Sequence, residues 1–359
     1  MDIGSPKFKL KLKRALLLSA GWSIAAGYIF VLQFTTLLIE FSRNAPVEFN
    51  FIGGLILTVV EVFIAGLLPA VFEVFYFTDR FRNKSFGYAV LMKTLFYTFG
   101  LSILTALVSI AEYYFLNEHF NSTFYDNSFG VFLTFFKWAP VFLISTFVMQ
   151  VSDKFGHGVL WKFLLGKYHI PKVETRIFMF LDLKSSTSIA EALGHIKYFE
   201  LINDFFYDVT DAIIETHGEI YQYVGDEIVI SWTLKNGTND ENCLNCFFDI
   251  TDVIRKLSEK YESKYGLVPS FKAGMHYGEV TVGEIGVMKR DIVFSGDVLN
   301  TTARIQELCN KYKVKLILSK DLLELLKVDN TFLIKELGQM NLRGRSAPVI
   351  LYSVRKERF

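Results

Sequence analysis

The sequence predicts an α-helical transmembrane domain of four spans, followed by an α+β domain of ferredoxin-like layout with helices on one face of an antiparallel sheet. Three observations carry this. The 359 residues include 38 Lys and Arg and 37 Asp and Glu, yet only 20 of these 75 charges fall in residues 1–151. Four long apolar stretches fill that charge-poor half. From Arg176 onward the apolar period switches to short strands alternating with amphipathic helices. An apolar content of 51% excludes a disordered chain, and only three cysteines exclude a disulfide scaffold. A net charge of +1 gives no electrostatic footprint for nucleic acid.

The predicted transmembrane domain is residues 1–151, with spans at about 15–39, 49–77, 86–116 and 129–151. Each reaches the ~20 apolar residues that cross a hydrocarbon core. The first is too long for the apolar core of a cleavable signal peptide, and three more spans follow it. Lys7, Lys9, Lys11, Lys13 and Arg14 precede the first span; Arg80, Arg82 and Lys84 sit in the second loop; Lys154, Lys162 and Lys167 follow the fourth. The first loop has only Arg43 and the third neither Lys nor Arg. By the positive-inside rule both termini are cytoplasmic. The expectation is a multi-pass protein of the plasma (inner) membrane. Ionisable side chains within a span are costly and seek partners. Glu61 and Lys137 share one depth, Glu73 and Lys93 another, which predicts interhelical pairs Glu61–Lys137 and Glu73–Lys93. A haem or quinone site would need convergent histidines, and only His119 and His157 lie near this half.

Residues 152–173 read as a connector, with a helical patch at 159–167 that stops before Pro171. Residues 174–359 read as the second domain. A buried strand at 176–182 leads into a helical stretch to Thr216. Two β-rich runs, 219–224 and 227–232, meet at Gly225-Asp226 as a hairpin. One long helix is expected over 240–265, ended by Gly266 and Pro269. Next come a strand at 270–276, a turn at Tyr277-Gly278 into 279–283, a helix at 298–312 and a strand at 314–318. Runs at 332–337 and 349–354 close the chain. The order β-α-β-β-α-β is the basis of the fold prediction.

Asp182 ends a buried strand and Asp226 occupies a tight hairpin. In this layout the strand end and the hairpin are neighbours, so two carboxylates converge at one sheet edge. Hard divalent cations take oxygen ligands of this kind, and Mg²⁺ commonly combines one or two carboxylates with substrate phosphates. Leu183-Lys-Ser-Ser-Thr187 follows at a helix start, where free N–H groups suit a polyphosphate.

Five motifs in order make the pattern specific. They are Phe180-Leu-Asp182-Leu-Lys-Ser-Ser-Thr187, Tyr223-Val-Gly225-Asp226-Glu227, Gly274-Met-His276-Tyr-Gly278, Gly296-Asp297-Val-Leu-Asn300-Thr-Thr-Ala-Arg304, and Leu342-Arg343-Gly344 with Pro348-Val349. Over residues 174–355 they resemble the catalytic domain of class III adenylate and guanylate cyclases. The resemblance implies that Asp182 and Asp226, with the Leu183 carbonyl, bind two Mg²⁺ or Mn²⁺ ions. It implies that Thr187, Lys272 and Arg343 contact phosphates, that Asn300 orients the ribose, and that Arg304 stabilises the pentavalent transition state. In this family the aspartates come from one subunit and the Asn and Arg from the other. A chain with both sets is expected to be a homodimer with shared sites, acting on a nucleoside triphosphate.

The base-contact positions depart from the family pattern. Gln222 stands where adenylate cyclases commonly have Lys, and Val293 where they have Asp or Thr; guanylate cyclases commonly have Glu and Cys there. A Gln amide can serve adenine or guanine. ATP is expected because it is the more frequent substrate among such membrane cyclases, with a guanylate or dual-specificity cyclase as the alternative. Ser186 replaces a usual aromatic residue. Gly225-Asp226-Glu227 also resembles the hairpin of diguanylate cyclases, but Val224 and Ile228 break that pattern.

The remaining conspicuous residues have plainer readings. Cys243 and Cys246 form a lone CxxC without a second pair, so they and Cys309 are expected to pack in the core. His276, mid-strand, is expected to be structural. A non-catalytic membrane receptor with a dimerising cyclase-like domain is the rival from another class, and the intact Asp182, Asp226, Asn300 and Arg304 count against it.

Overall fold

The computed structural model describes residues 5–41, 51–81, 84–115, 128–155, 166–288, 290–326, 328, 331–340 and 348–356. Two compact units divide the chain near residue 160.

The first unit is helical: α1 (Pro6–Phe41), α2 (Phe51–Phe72), α3 (Phe86–Phe115) and α4 (Ser128–Phe155). All four helices are long and apolar enough to cross a membrane. Pro69 removes a backbone donor inside α2, and the helix then widens into a π-turn over Glu73–Phe77. The expected pair Glu73–Lys93 is present at 2.6 Å, with both side chains almost fully buried. The Tyr97 hydroxyl donates to the same carboxylate. The expected pair Glu61–Lys137 is absent: both residues are exposed. Equal depth does not fix azimuth. Glu61 and Glu73 lie twelve residues apart, about 120° around the helix, so only one of them faces the interior.

The second unit is one eight-stranded sheet with helices. In chain order it holds β1 (Lys172–Leu183), α5 (Ser186–Leu193), α6 (His195–Glu215), β2 (Glu219–Val224), β3 (Glu227–Thr233), α7 (Leu234–Thr238), α8 (Asn242–Lys256) and α9 (Ser258–Tyr265). There follow β4 (Phe271–Ile285), β5 (Asp291–Ser295), α10 (Asp297–Tyr312), β6 (Leu316–Ser319), α11 (Lys320–Leu325), β7 (Phe332–Met340) and β8 (Val349–Lys356). The strand order is β2-β3-β1-β4-β6-β8-β7, with β5 added on β4. Every pairing is antiparallel except β4–β6, where α10 carries the chain back before β6 begins.

Alternation along β1 builds two cores. Ile177, Met179 and Leu181 pack with Leu201, Phe205 and Val209 of α6 and Cys243, Leu244 and Phe247 of α8. Phe178 and Phe180 face the other way, against Val298 of α10 and Val280 and Val282 of β4. Helices therefore cover both faces, not one, because β1 is apolar at consecutive positions and both sides need burial. All three cysteines are buried and unpaired, as expected of core residues. His276 is buried, with Nδ1 at 2.7 Å from Ser319 Oγ.

Three local expectations are corrected. Tyr277-Gly278 is not a turn: the residues pair with Ile177 and Arg176, and β4 runs unbroken for 15 residues. Gly278 is there for space, since a Cβ would sit 3.2 Å from Val298 Cβ. The helix expected over 240–265 breaks at Leu257 into α8 and α9. The stretch to Thr216 breaks at Gly194, whose φ is 76°. Most of the helical patch expected at 159–167 lies outside the described residues.

Candidate active site

The site is built on β1, between a carboxylate of β3 and an ammonium of β4. Asp182 pairs across β1–β3 with Glu227 and across β1–β4 with Lys272. Its Oδ2 lies 3.2 Å from Lys272 Nζ and accepts a hydrogen bond from Gln306 Nε2 at 2.8 Å. Asp226 sits in the two-residue turn closed by the Val224–Glu227 pair, where Gly225 takes φ 63°. The expected convergence of Asp182 and Asp226 is present. Burial raises the Asp226 carboxyl above its ordinary value, the Asp182 charge raises it further, and the Ser186 hydroxyl partly offsets both. Asp226 Oδ2 is buried without a hydrogen-bond partner. Glu227 is pushed up to about 7, by burial first and then by Asp182 and Asp226.

An orphaned carboxylate oxygen beside a second carboxylate is costly unless something electropositive meets it. The donor set fits a hard divalent cation that completes its shell with phosphate or water oxygens. Among the described residues no group of three or more His, Cys, Asp and Glu side chains forms a metal cage. Leu183, next to Asp182, is buried at the end of β1, paired with Phe271 of β4.

Thr187 stands exposed in the first turn of α5, just after Ser185, whose φ of 59° ends the strand sharply. Three lysines gather at this edge: burial lowers the Lys184 ammonium from its ordinary value, with Lys315 and Lys272 as like-charged neighbours. Lys184 and Lys315 were not singled out in the sequence.

The other candidates form a second group. Gln222 is exposed on β2 and Val293 half-buried on β5. Their chain neighbours Tyr221 and Phe294 stack at 4.6 Å, and the Phe294 N–H donates to the Tyr221 hydroxyl at 3.1 Å. Asn300 and Arg304 stand one turn apart on α10. Gln306, two residues beyond Arg304, faces Asp182; a two-residue step turns the helix by about 200°. Arg304 therefore points away from the carboxylates of its own chain. Arg343 lies outside the described residues. Gln306 escaped the sequence reading, although it is a buried amide on the apolar stripe of Val298, Thr302, Ile305 and Cys309, a position that calls for a polar partner.

Residues 169–356 match the model of the family described as the adenylate and guanylate cyclase catalytic domain. The chain belongs to this family. Among curated cyclases, "Adenylate cyclase 2" of Rhizobium meliloti (strain 1021) is 35% identical over 208 residues, 58% of this chain and 57% of that protein. "Adenylate cyclase" of Anabaena cylindrica is 25% identical over 183 residues, 49% of this chain and 36% of that protein. The chain thus spans little more than half the length of the first relative and about a third of the second. A solved bacterial light-regulated adenylyl cyclase shares the cyclase fold, with a TM-score of 0.52 at 21% identity, covering 62% of this chain and 66% of that one.

Proposed function

We propose that the chain is a membrane-anchored adenylate cyclase that converts ATP to 3′,5′-cyclic AMP and pyrophosphate at sites shared between two copies. The observation that carries this reading is the Asp182–Asp226 pair with its orphaned Oδ2. Asp182, Asp226 and the Leu183 carbonyl would hold two Mg²⁺ or Mn²⁺ ions. When bound, such ions lower the pKa of the attacking 3′-hydroxyl and neutralise charge on the phosphates.

The chain's own residues supply the rest. Gln306 and Lys272 fix the rotamer of Asp182. Thr187 and the N–H groups of the first α5 turn receive phosphate oxygens, and Lys184, Lys272 and Lys315 lend positive charge to the same edge. Asn300 holds the ribose, and Arg304 meets negative charge developing on the α-phosphate. Since Arg304 faces away from its own aspartates, it would serve the site of a second copy, and a lone chain should be inactive. Gln222 and Val293 meet the base; the relatives named adenylate cyclase support ATP over GTP. The four apolar helices and the basic residues flanking them support a multi-pass anchor in the plasma (inner) membrane, with both termini cytoplasmic.

The test incubates the purified full chain with Mn²⁺ and ATP or GTP and identifies the product. Cyclic AMP formation supports the reading, cyclic GMP alone would transfer it to guanylate cyclase, and no product with either would sink it. Asp182→Ala and Arg304→Ala, each inactive alone, should regain activity when mixed; no recovery rules out shared sites.

A further inference from the structure

We propose that the four-helix unit holds a binding site for one uncharged apolar group. The site is a cavity of about 270 Å³ walled by Trp22, Pro69, Tyr97, Gly100, Trp138 and Phe142 from all four helices. An engineered apolar cavity of about 150 Å³ already accepts benzene.

The sequence explains why the space exists. Ala65, Gly66 and Gly100 bring almost no side chain to the wall, and Pro69 breaks the hydrogen-bond ladder of α2 beside it. The space at Gly100 is open, since a Cβ built there meets nothing within 4 Å. Gly66 differs: its Cβ would meet Ser19 Oγ at 3.0 Å and Trp22 at 3.2 Å, so it seats α2 on α1.

The lining fixes the class of ligand. Trp22 stands 5.7 Å from Tyr97 and 5.4 Å edge-on to Phe142, and Trp138 stacks on Phe142 at 5.7 Å. These rings brace one another and present preformed aromatic walls. Two of the polar tips are already engaged: Trp22 Nε1 donates to Ser145 Oγ at 3.1 Å, and the Tyr97 hydroxyl donates to Glu73. Lys93 is neutralised by Glu73. None of the described lining residues carries a charge, so burial of a charged ligand there would be prohibitive. Leu68 and Leu104, also in the lining, are 80% and 50% exposed, so the cavity opens on the apolar outer surface of the helices. An uncharged apolar group could come from a diffusible molecule or from the acyl chain of a bilayer lipid.

Trp22 and Trp138 report on occupancy, whereas Trp232 is sealed in the other unit at 0% exposure. The experiment uses the full chain with Trp161→Phe in phosphatidylcholine nanodiscs. One arm titrates 2-bromonaphthalene, an uncharged heavy-atom quencher; the other uses phosphatidylcholine with brominated acyl chains. Expected is saturable tryptophan quenching that Gly100→Leu, filling the cavity, weakens at least tenfold at unchanged helix content. Sensitivity to Gly100→Leu in the first arm alone assigns a diffusible ligand, and in the second arm a lipid chain. Quenching that never saturates, or that is equal in both proteins in both arms, overturns the proposal. Should Gly100→Leu fail to fold, Ala65→Leu closes the same space from α2. The readout needs no cyclase activity, so it is independent of the proposed reaction.

Discussion

Gln306 on α10 donates a hydrogen bond to Asp182 on β1 at 2.8 Å, while the opposite side of the same helix carries Arg304. One helix thus holds a carboxylate of its own chain and offers a cation elsewhere. Gln306→Leu keeps the bulk but removes the donor, leaving Asp182 oriented by Lys272 alone. The apparent affinity for Mn²⁺ should fall about 10–100-fold, the usual effect of losing a group that orients a metal ligand. A metal titration of activity, with direct calorimetry, checks this; an unchanged midpoint would leave Gln306 a packing residue.

Gly274 lets α10 approach that closely. A Cβ there would lie 2.4 Å from the Gln306 backbone nitrogen and 2.7 Å from its Cα, and backbone cannot swing aside as a side chain can. Gly274→Ala should destabilise the cyclase unit by about 3 kcal/mol, the upper range for overpacking, and displace Gln306 from Asp182. Thermal unfolding should show a drop of about 6–12 °C. Metal affinity should weaken in parallel.

Asp226→Asn separates stability from activity. The wild-type carboxyl is held above its ordinary range by burial and by Asp182, so without metal its ionised form opposes folding near neutral pH. The amide removes that repulsion and, under the proposed function, a metal ligand with it. The variant should melt higher than wild type in chelator yet have at least about 100-fold less activity, since losing a ligand costs no less than losing a group that orients one. A lower melting temperature in chelator would contradict the assigned electrostatics.

Particular residues show what the sequence made legible. Asp182, Asp226 and the Gly225 turn were readable because strand end and hairpin are local signals, and topology makes them neighbours. Glu73 with Lys93 was readable from depth. Glu61 with Lys137 was not, because depth says nothing of which way a helix is rotated. The turn at Tyr277-Gly278 was a misreading of glycine: the residue serves a close approach by Val298, a long-range fact. The breaks at Gly194 and Leu257 escaped because amphipathic periodicity continues across them. Gln306 was missed since its partner is 124 residues away.

Glu227 gives the cyclase unit a pH dependence of known sign. Its carboxyl rises from the ordinary 4.5 to about 7 through burial and the neighbouring Asp182 and Asp226. Between these values the folded protein binds more protons than the unfolded chain, so stability falls as pH rises through that window. Glu227→Gln should flatten this slope, measured in chelator by thermal unfolding from about pH 4.5 to about pH 7. Saturating Mn²⁺ should flatten it in wild type as well, since a cation beside the three carboxylates favours their ionised forms. A slope of the same size in the variant would exclude Glu227 as its source.

Within the helical unit, Glu73 and Lys93 pair at 2.6 Å with side chains 1% and 3% exposed. Removing one member leaves a charge buried among apolar helices, which costs about 3–5 kcal/mol in comparable sites. Glu73→Gln or Lys93→Met alone should therefore lower the melting temperature and the yield of folded protein in detergent. The exchange Glu73→Lys with Lys93→Glu restores opposite charges across the same gap. It does not restore the hydrogen bond from Tyr97, which needs an acceptor at position 73. The double variant should thus recover most, not all, of the loss, and adding Tyr97→Phe to it should cost less than the same change costs wild type. If the exchange recovers nothing beyond the worse single variant, the two residues do not stabilise the bundle through their charges.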